Sequence, residues 1–246
     1  MARDQGLTGA VVAEQGTFYG IGVGPGDPEL LTLKAVRIIG EAAVVAYPIN
    51  GSGESLARTI AADVIDADAR ELPVHIPMCT DRQPAATVYD NAALAIAGHL
   101  EAGDDVAFLC EGDPFFYGSF MYLFARIAER HPTVVVPGIT SLTACAAALG
   151  RPLAARNERL TVLPAPLPED TLRDELSRVE AAAIIKVGRH FDKVRRVLHE
   201  LGLAGRAAIV ERATRGDQKI TPLAAMPEGK RPYFSTILVY CGDEAW

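Results

Sequence analysis

The residues best suited to hold a ligand form one loop, Glu111-Gly112-Asp113-Pro114-Phe115-Phe116-Tyr117-Gly118-Ser119. Gly112 and Gly118 lack a Cβ, so a ligand can approach the backbone closely. Pro114 stiffens the turn, and three consecutive aromatics can wall a flat or apolar group. The loop follows the apolar run 106–110 and precedes a helical run from Phe120. An acidic glycine loop at the carboxyl end of a buried strand is where open α/β sheets bind ligands. Taken alone, an ordinary strand-to-helix turn accounts for it equally well.

Two further clusters repeat the strand, turn, helix arrangement. The run 17–23 reads as a strand, Gly24-Pro25-Gly26-Asp27-Pro28 as a turn, and 30–40 as a helix. A dinucleotide fingerprint needs glycines at its first, third and sixth positions, and a P-loop ends in Gly-Lys-Ser/Thr. Counting from Gly20, Gly22 or Gly24, the sixth position is Pro25, Asp27 or Glu29, so no register fits, and Asp27 would repel a phosphate. A capping Asp27 at a helix start is the structural alternative. Four glycines within seven residues exceed what capping needs, and this favours a site. The third cluster is Val136-Pro137-Gly138-Ile139-Thr140-Ser141, where Thr140 or Ser141 can cap the small-residued helix 140–149. In the second half, Lys186 and Arg212 stand at the ends of strand-like runs, where a lysine is ordinarily a snorkelling structural residue.

Catalytic side chains are scarce. His75, His99, His131, His190 and His199 are scattered, with His99 and His199 on amphipathic helices. There is no Gly-x-Ser-x-Gly elbow and no His-Glu-x-x-His metal motif. The pattern suits chemistry that belongs to a cofactor and a substrate, with the protein supplying orientation. No metal site is expected.

Elements that would position these loops alternate along the chain. Strands are expected at 17–23, 43–47, 71–76, 105–110 and 133–136, and helices at 30–40, 54–66, 85–101, 119–130 and 140–149. That alternation indicates a parallel sheet covered by helices. In helix 85–101, Val88, Ala92, Ala95, Ile96 and Leu100 can share one face. Beyond Gly150-Arg151-Pro152 the rhythm changes. Strands are expected at 159–164, 181–187, 206–211 and 233–240, and helices at 168–178 and 190–201. The last strand has no helix after it, so some antiparallel pairing is expected. The fold class is therefore α/β in two domains, the first mostly parallel and the second mixed. Residues 1–16 read as a disordered tail, 17–155 as the N-terminal domain and 156–246 as the C-terminal domain.

The 246 residues carry 49% hydrophobic and 22% charged residues and a net charge of -7. No basic patch supports nucleic-acid binding. Four cysteines without a Cys-x-x-Cys pair point to a reducing cytoplasm rather than a disulfide or zinc framework. No apolar stretch approaches the roughly 18–20 residues of a membrane span, and the first sixteen residues lack the pattern of a signal peptide.

The motifs at 20–35, 111–119 and 137–141 together resemble the signatures of the tetrapyrrole methylases, S-adenosylmethionine-dependent enzymes of cobalamin and sirohaem synthesis, over roughly residues 17–240. The resemblance implies two α/β domains with the cofactor in a cleft between them, a homodimer, and S-adenosylhomocysteine as a product. It carries over cofactor contacts at Pro25, Glu111, Gly112, Asp113, Phe116, Thr140, Ser141, Val187 and Ala213. Gly24, Gly26 and Asp27, with Tyr47 and Tyr117, would belong to the tetrapyrrole side. The cues Val44-Val45-Ala46-Tyr47-Pro48, Ile184-Ile185-Lys186-Val187-Gly188-Arg189 and Glu211-Arg212-Ala213-Thr214 are most similar to members that methylate precorrin-2 at C20, giving precorrin-3A in cobalamin biosynthesis. Cobalt-factor II as substrate and a non-catalytic tetrapyrrole-binding role remain the alternatives. Uroporphyrinogen-III methylases usually carry an aspartate where Pro48 stands, so the resemblance supplies no base; Tyr47, Tyr117, Lys186 and water stay open. Arg151, Arg156, Arg189, Arg212 and Arg215 are candidate partners for substrate carboxylates.

Overall fold

The structure is a computed structural model that describes residues 15–76 and 82–242. The tail expected at 1–16 lies almost wholly outside the described residues. The chain forms two compact units. The first comprises Met1–Ile21, Leu33–Cys110 and Gly118–Val136; the second comprises Gly22–Thr32, Glu111–Tyr117 and Pro137–Trp246.

In the first unit the elements are β1 (Phe18–Gly22), α1 (Leu33–Glu41), β2 (Val44–Ile49), α2 (Leu56–Ile60), β3 (Arg70–His75), α3 (Arg82–Glu101), β4 (Val106–Cys110), α4 (Phe120–Ile127) and β5 (Thr133–Val136). Five parallel strands order as β3-β2-β4-β1-β5. Helical crossovers bury both faces, which is why β4 is apolar and buried at every position. Phe120 anchors the core, its ring centroid 5.4 Å from Phe18 and 6.2 Å from Phe108. A Cβ on Gly20 would stand 2.1 Å from the Phe120 ring, so that glycine makes a slot for an aromatic. On α3, Ala92, Ile96 and Leu100 are buried as the spacing predicts, but Ala95 is exposed and Ala93 is buried instead. The apolar stripe thus keeps its expected line but takes in Tyr89 and Ala93 in place of Ala95.

Two helices differ from expectation. The run 30–40 divides into a 3-10 turn at Pro28–Leu30 and α1, and 54–66 divides into α2 and a 3-10 turn at Ala62–Val64. Asp27 ends the first loop by accepting the Glu29 N–H at 2.9 Å.

The second unit contains α5 (Ser141–Leu149), β6 (Leu160–Pro164), α6 (Glu169–Leu176), β7 (Ala181–Ile185), α7 (Phe191–Glu200), β8 (Ala207–Glu211), β9 (Lys219–Pro222) and β10 (Ser235–Tyr240). Its sheet orders as β6-β7-β10-β8-β9. β6 and β7 run parallel, and β10 runs antiparallel to both β7 and β8, the mixed sheet expected from a terminal strand without a helix. β9 carries no alternating pattern and was not expected. It is an edge strand paired with β8 alone, a place where Lys219 and Pro222 are tolerated.

Each face of this sheet has its own core. On one side α7 presents Phe191, Val194, Val197 and Leu198, all fully buried, against Ile184, Ile209 and Ile237. On the other, α5 presents Leu142, Ala144 and Cys145 to Ala183, Val210 and Leu238. Small residues let α5 approach closely. This packing groups α5 and its preceding turn with the second unit, upstream of the boundary near residue 155 read from the sequence.

Candidate ligand site

Strands β4, β1 and β5 are neighbours in their sheet, and from their carboxyl ends leave the three motif loops. All three loops belong to the second unit. Gly24 and Gly112 exchange backbone hydrogen bonds, with the Gly112 N–H donating to Gly24 O at 2.8 Å and the Gly24 N–H to Gly112 O at 3.3 Å. Gly112 adopts φ +69 to do so, a conformation open to glycine at little cost. A Cβ on Gly138 would lie 2.0 Å from Gly112 O and 2.7 Å from the Gly22 Cα. Three backbones therefore touch where no side chain fits. Asp113 fastens them: its Oδ1 accepts the Phe115 N–H at 2.9 Å and its Oδ2 accepts the Gly138 N–H at 3.0 Å.

The sheet of the same unit brings a second set of residues. β7 and β8 end on either side of the start of β10, since Ser235 pairs with Glu211 and Ile237 with Ile184. Between these strand ends and the loops lies a cleft whose empty space, open solvent included, is about 830 Å³. Pro25 comes from the first loop. Glu111, Gly112, Asp113, Phe116 and Tyr117 come from the acidic loop, and Thr140, Ser141 and Cys145 from the start of α5. Ile185, Lys186, Val210 and Ala213 come from the ends of β7 and β8, and the segment 233–236 completes the wall.

The backbone around the cavity is strained. Tyr117 (φ 57) and Lys186 (φ 57) line it, and Arg212 (φ 51) and Thr214 (φ 66) flank Ala213. Such conformations are uncommon for residues with a Cβ, and a β-branched threonine there is an outlier. They persist only where surrounding structure holds them, commonly at ligand clamps. The Asp27 N–H donates to the Thr214 hydroxyl at 3.0 Å, and a Cβ on Gly26 would meet the Arg215 Cγ at 2.5 Å. Those contacts hold the first loop beside Ala213.

Electrostatically the cavity is mixed. Glu111 and Asp113 are anionic, and Lys186 is the one cation among the described lining residues. Cys145 is 1% exposed, and burial pushes its thiol up to about 11, against a lowering hydrogen bond with Thr236. It stays a neutral thiol near pH 7 and is no nucleophile.

Of the nine cofactor positions carried over from the resemblance, eight line this cavity. Val187 does not; it is fully buried in the core beneath α7. Among the tetrapyrrole-side positions, Tyr117 lines it, whereas Gly24, Gly26 and Asp27 do not. Gly24 takes a positive φ of 79, Gly26 is closely approached by Arg215 and Ala213, and Asp27 caps. Tyr47 lies in the first unit, where its hydroxyl donates to Glu71 at 2.5 Å and Arg58 forks onto the same carboxylate at 2.8 and 3.0 Å. Thr140 is the N-cap residue of α5 but its side chain makes no capping bond, so capping does not explain it. None of the five candidate arginines lines the cavity. Arg151 donates to the Arg206 and Leu238 carbonyls at 3.3 Å, and Arg212 and Arg215 pair with Asp217 at 3.3 Å.

Tyr233, Phe234, Ser235 and Thr236 were missed as site residues. In the sequence they read only as the start of a strand, and nothing local distinguishes them.

The model of a family described as Tetrapyrrole (Corrin/Porphyrin) Methylases matches residues 17–226. A precorrin-2 C(20)-methyltransferase of Sinorhizobium sp. is 41% identical over 232 residues, covering 91% of this chain and 95% of that protein. The cobalamin biosynthesis protein CobIJ of Mycobacterium tuberculosis is 42% identical over 236 residues, covering 93% of this chain; the chain spans about half the length of that relative, 46% of it. Among solved structures, the uroporphyrin-III C-methyltransferase of Thermus thermophilus complexed with S-adenosylhomocysteine superposes with a TM-score of 0.66 at 27% identity, covering 93% of this chain and 98% of the other.

Proposed function

Because the chain belongs to the tetrapyrrole methylase family, we propose that it transfers a methyl group from S-adenosylmethionine to C20 of precorrin-2, giving precorrin-3A in cobalamin biosynthesis. The observation that carries this reading is the cavity, lined by eight of the nine residues at which the family resemblance implies cofactor contact. The relative named precorrin-2 C(20)-methyltransferase, similar over nearly its whole length, supports the choice of ring position.

The lining suits such a ligand. Two carboxylates and one ammonium complement a molecule bearing two positive groups and one carboxylate. The hydroxyls of Thr140, Ser141, Ser235 and Thr236 offer donors and acceptors, and Phe116 and Val210 offer apolar surface. Bound there, S-adenosylmethionine supplies a sulfonium methyl that an electron-rich ring carbon accepts, with loss of a proton from that carbon.

The rest is the work of this chain. The Gly22–Gly112–Gly138 contact and the Asp113 clamp fix the loops that hold the ligand. The aromatic side chains of Phe116, Tyr117, Tyr233 and Phe234 offer the bound ligand an apolar wall. Positioning of this kind can lower a barrier by about 7–11 kcal/mol. Pro48 leaves no carboxylate at the position where uroporphyrinogen-III methylases usually carry one. The neighbouring Glu71 is held ionised by Arg58, far below the usual carboxylate range. We assign the protein to the cytoplasm as a homodimer, readings that rest on the cysteine spacing and the family resemblance; among the described residues no helix is long and apolar enough to cross a membrane.

The test is anaerobic incubation with fresh precorrin-2 and methyl-labelled S-adenosylmethionine, followed by mass and carbon NMR analysis. A single methyl at C20 is the expected result. A methyl elsewhere overturns the ring position, and acceptance of cobalt-factor II alone overturns the substrate. Pigment binding without transfer overturns catalysis.

A further inference from the structure

Lys186 follows the last residue of β7 in a left-handed conformation, φ 57. An extended residue there would carry on the strand's alternation; the positive φ instead turns the side chain to the cavity. Its ammonium lies 5.5 Å from the centroid of the Tyr117 ring, which itself has φ 57. Two strained backbones thus support one cation–aromatic contact. Such a contact is weak beside the cost of two left-handed backbones, so the contact alone does not explain the geometry. Among the described residues no salt bridge joins Lys186 to a carboxylate, although Glu111 and Asp113 stand in the same loop as Tyr117 and line the same cavity. The one cation among the described lining residues lies over an aromatic face.

We propose that Lys186 is a ligand-carboxylate-binding residue of the cavity, with Tyr117 as the platform that positions its ammonium. The inference rests on the reading of the cavity as a methyl-donor site. Both ligands of that reading bear carboxylates, the donor on its amino-acid end and the tetrapyrrole on its acetate and propionate arms. The five arginines considered for those arms do not line the cavity.

The test compares wild-type protein with K186M, which keeps the length and loses the charge, and K186R, which keeps the charge. Calorimetry with S-adenosylhomocysteine is run beside 5′-methylthioadenosine, which lacks the amino-acid end, and steady-state kinetics are run with precorrin-2. If the donor carboxylate is bound, K186M weakens S-adenosylhomocysteine by about tenfold or more, the size of one charge-assisted hydrogen bond. In that case it leaves methylthioadenosine unchanged, and K186R recovers most of the loss. If a tetrapyrrole carboxylate is bound, S-adenosylhomocysteine affinity is unchanged while KM for precorrin-2 rises with kcat retained, again recovered by K186R. Unchanged binding of both ligands by a folded K186M overturns the proposal, as does K186R behaving like K186M. Wild-type protein that binds no S-adenosylhomocysteine overturns the methyl-donor reading itself, and the proposal with it.

Discussion

The Asp113 carboxylate accepts the Gly138 N–H at 3.0 Å across 25 residues of sequence, joining the loop after β4 to the turn after β5. Its other oxygen accepts the Phe115 N–H, so both oxygens hold backbone that shapes the cavity. Asp113→Asn replaces one acceptor by an amide donor facing an N–H. We expect a loss of about 1–3 kcal/mol in a denaturant melt, and weaker S-adenosylhomocysteine binding by calorimetry. Wild-type values in both would show that the clamp holds nothing.

Gly138→Ala would place a Cβ 2.0 Å from Gly112 O, against backbone that cannot rotate away. The expected cost is about 1–3 kcal/mol or more, with loss of ligand binding. Gly216→Ala is the control, because a Cβ there meets nothing within 4 Å and should shift stability by no more than about 0.5 kcal/mol. Equal melting of the two variants would refute the glycine junction.

Thr140 stands at the N-cap of α5 without a side-chain capping bond. Thr140→Val should therefore melt within about 0.5 kcal/mol of wild type while weakening S-adenosylhomocysteine severalfold. A drop of about 1 kcal/mol or more with unchanged ligand affinity would instead mean that the hydroxyl caps the helix.

Hydrogen bonding to Arg58, then to Tyr47, lowers the Glu71 carboxyl from 4.5 to about 2. A group depressed in the folded state contributes stability above its unfolded value and loses it as pH falls through the folded one. The contribution is complete above about pH 4.5 and fades toward pH 2. Glu71→Gln should flatten the acid side of a stability–pH curve over that window and lower stability at pH 7. An unaltered acid limb in the variant would refute the assignment.

Much of this was legible in the sequence because it is local. Alternating apolar runs marked the described strands except β9, whose edge position lets Lys219 and Pro222 stand where no core demands a pattern. Glycines and the acidic loop marked three strand ends, and eight of nine expected cofactor positions meet in one cavity. Ala95 was misassigned because alanine carries too little apolar surface to define the buried stripe. Val187, carried over from the family resemblance, lies in the core beneath α7 and not in the cavity wall.

By itself the sequence determined the succession of elements, the loops that could carry a ligand and the lack of an aspartate at Pro48. Tertiary structure alone decided that β1 lies between β4 and β5, which brings Gly22, Gly112 and Gly138 into backbone contact. It also decided that the segment 233–236 faces the ends of β7 and β8, and that Lys186 stands over Tyr117 rather than beside a carboxylate. The physical reason is range. Side-chain periodicity and turn chemistry act over a few residues, whereas strand order comes from hydrogen bonds and packing between segments up to a hundred residues or so apart, as Phe18 pairing with Thr133 illustrates, and no local pattern carries it.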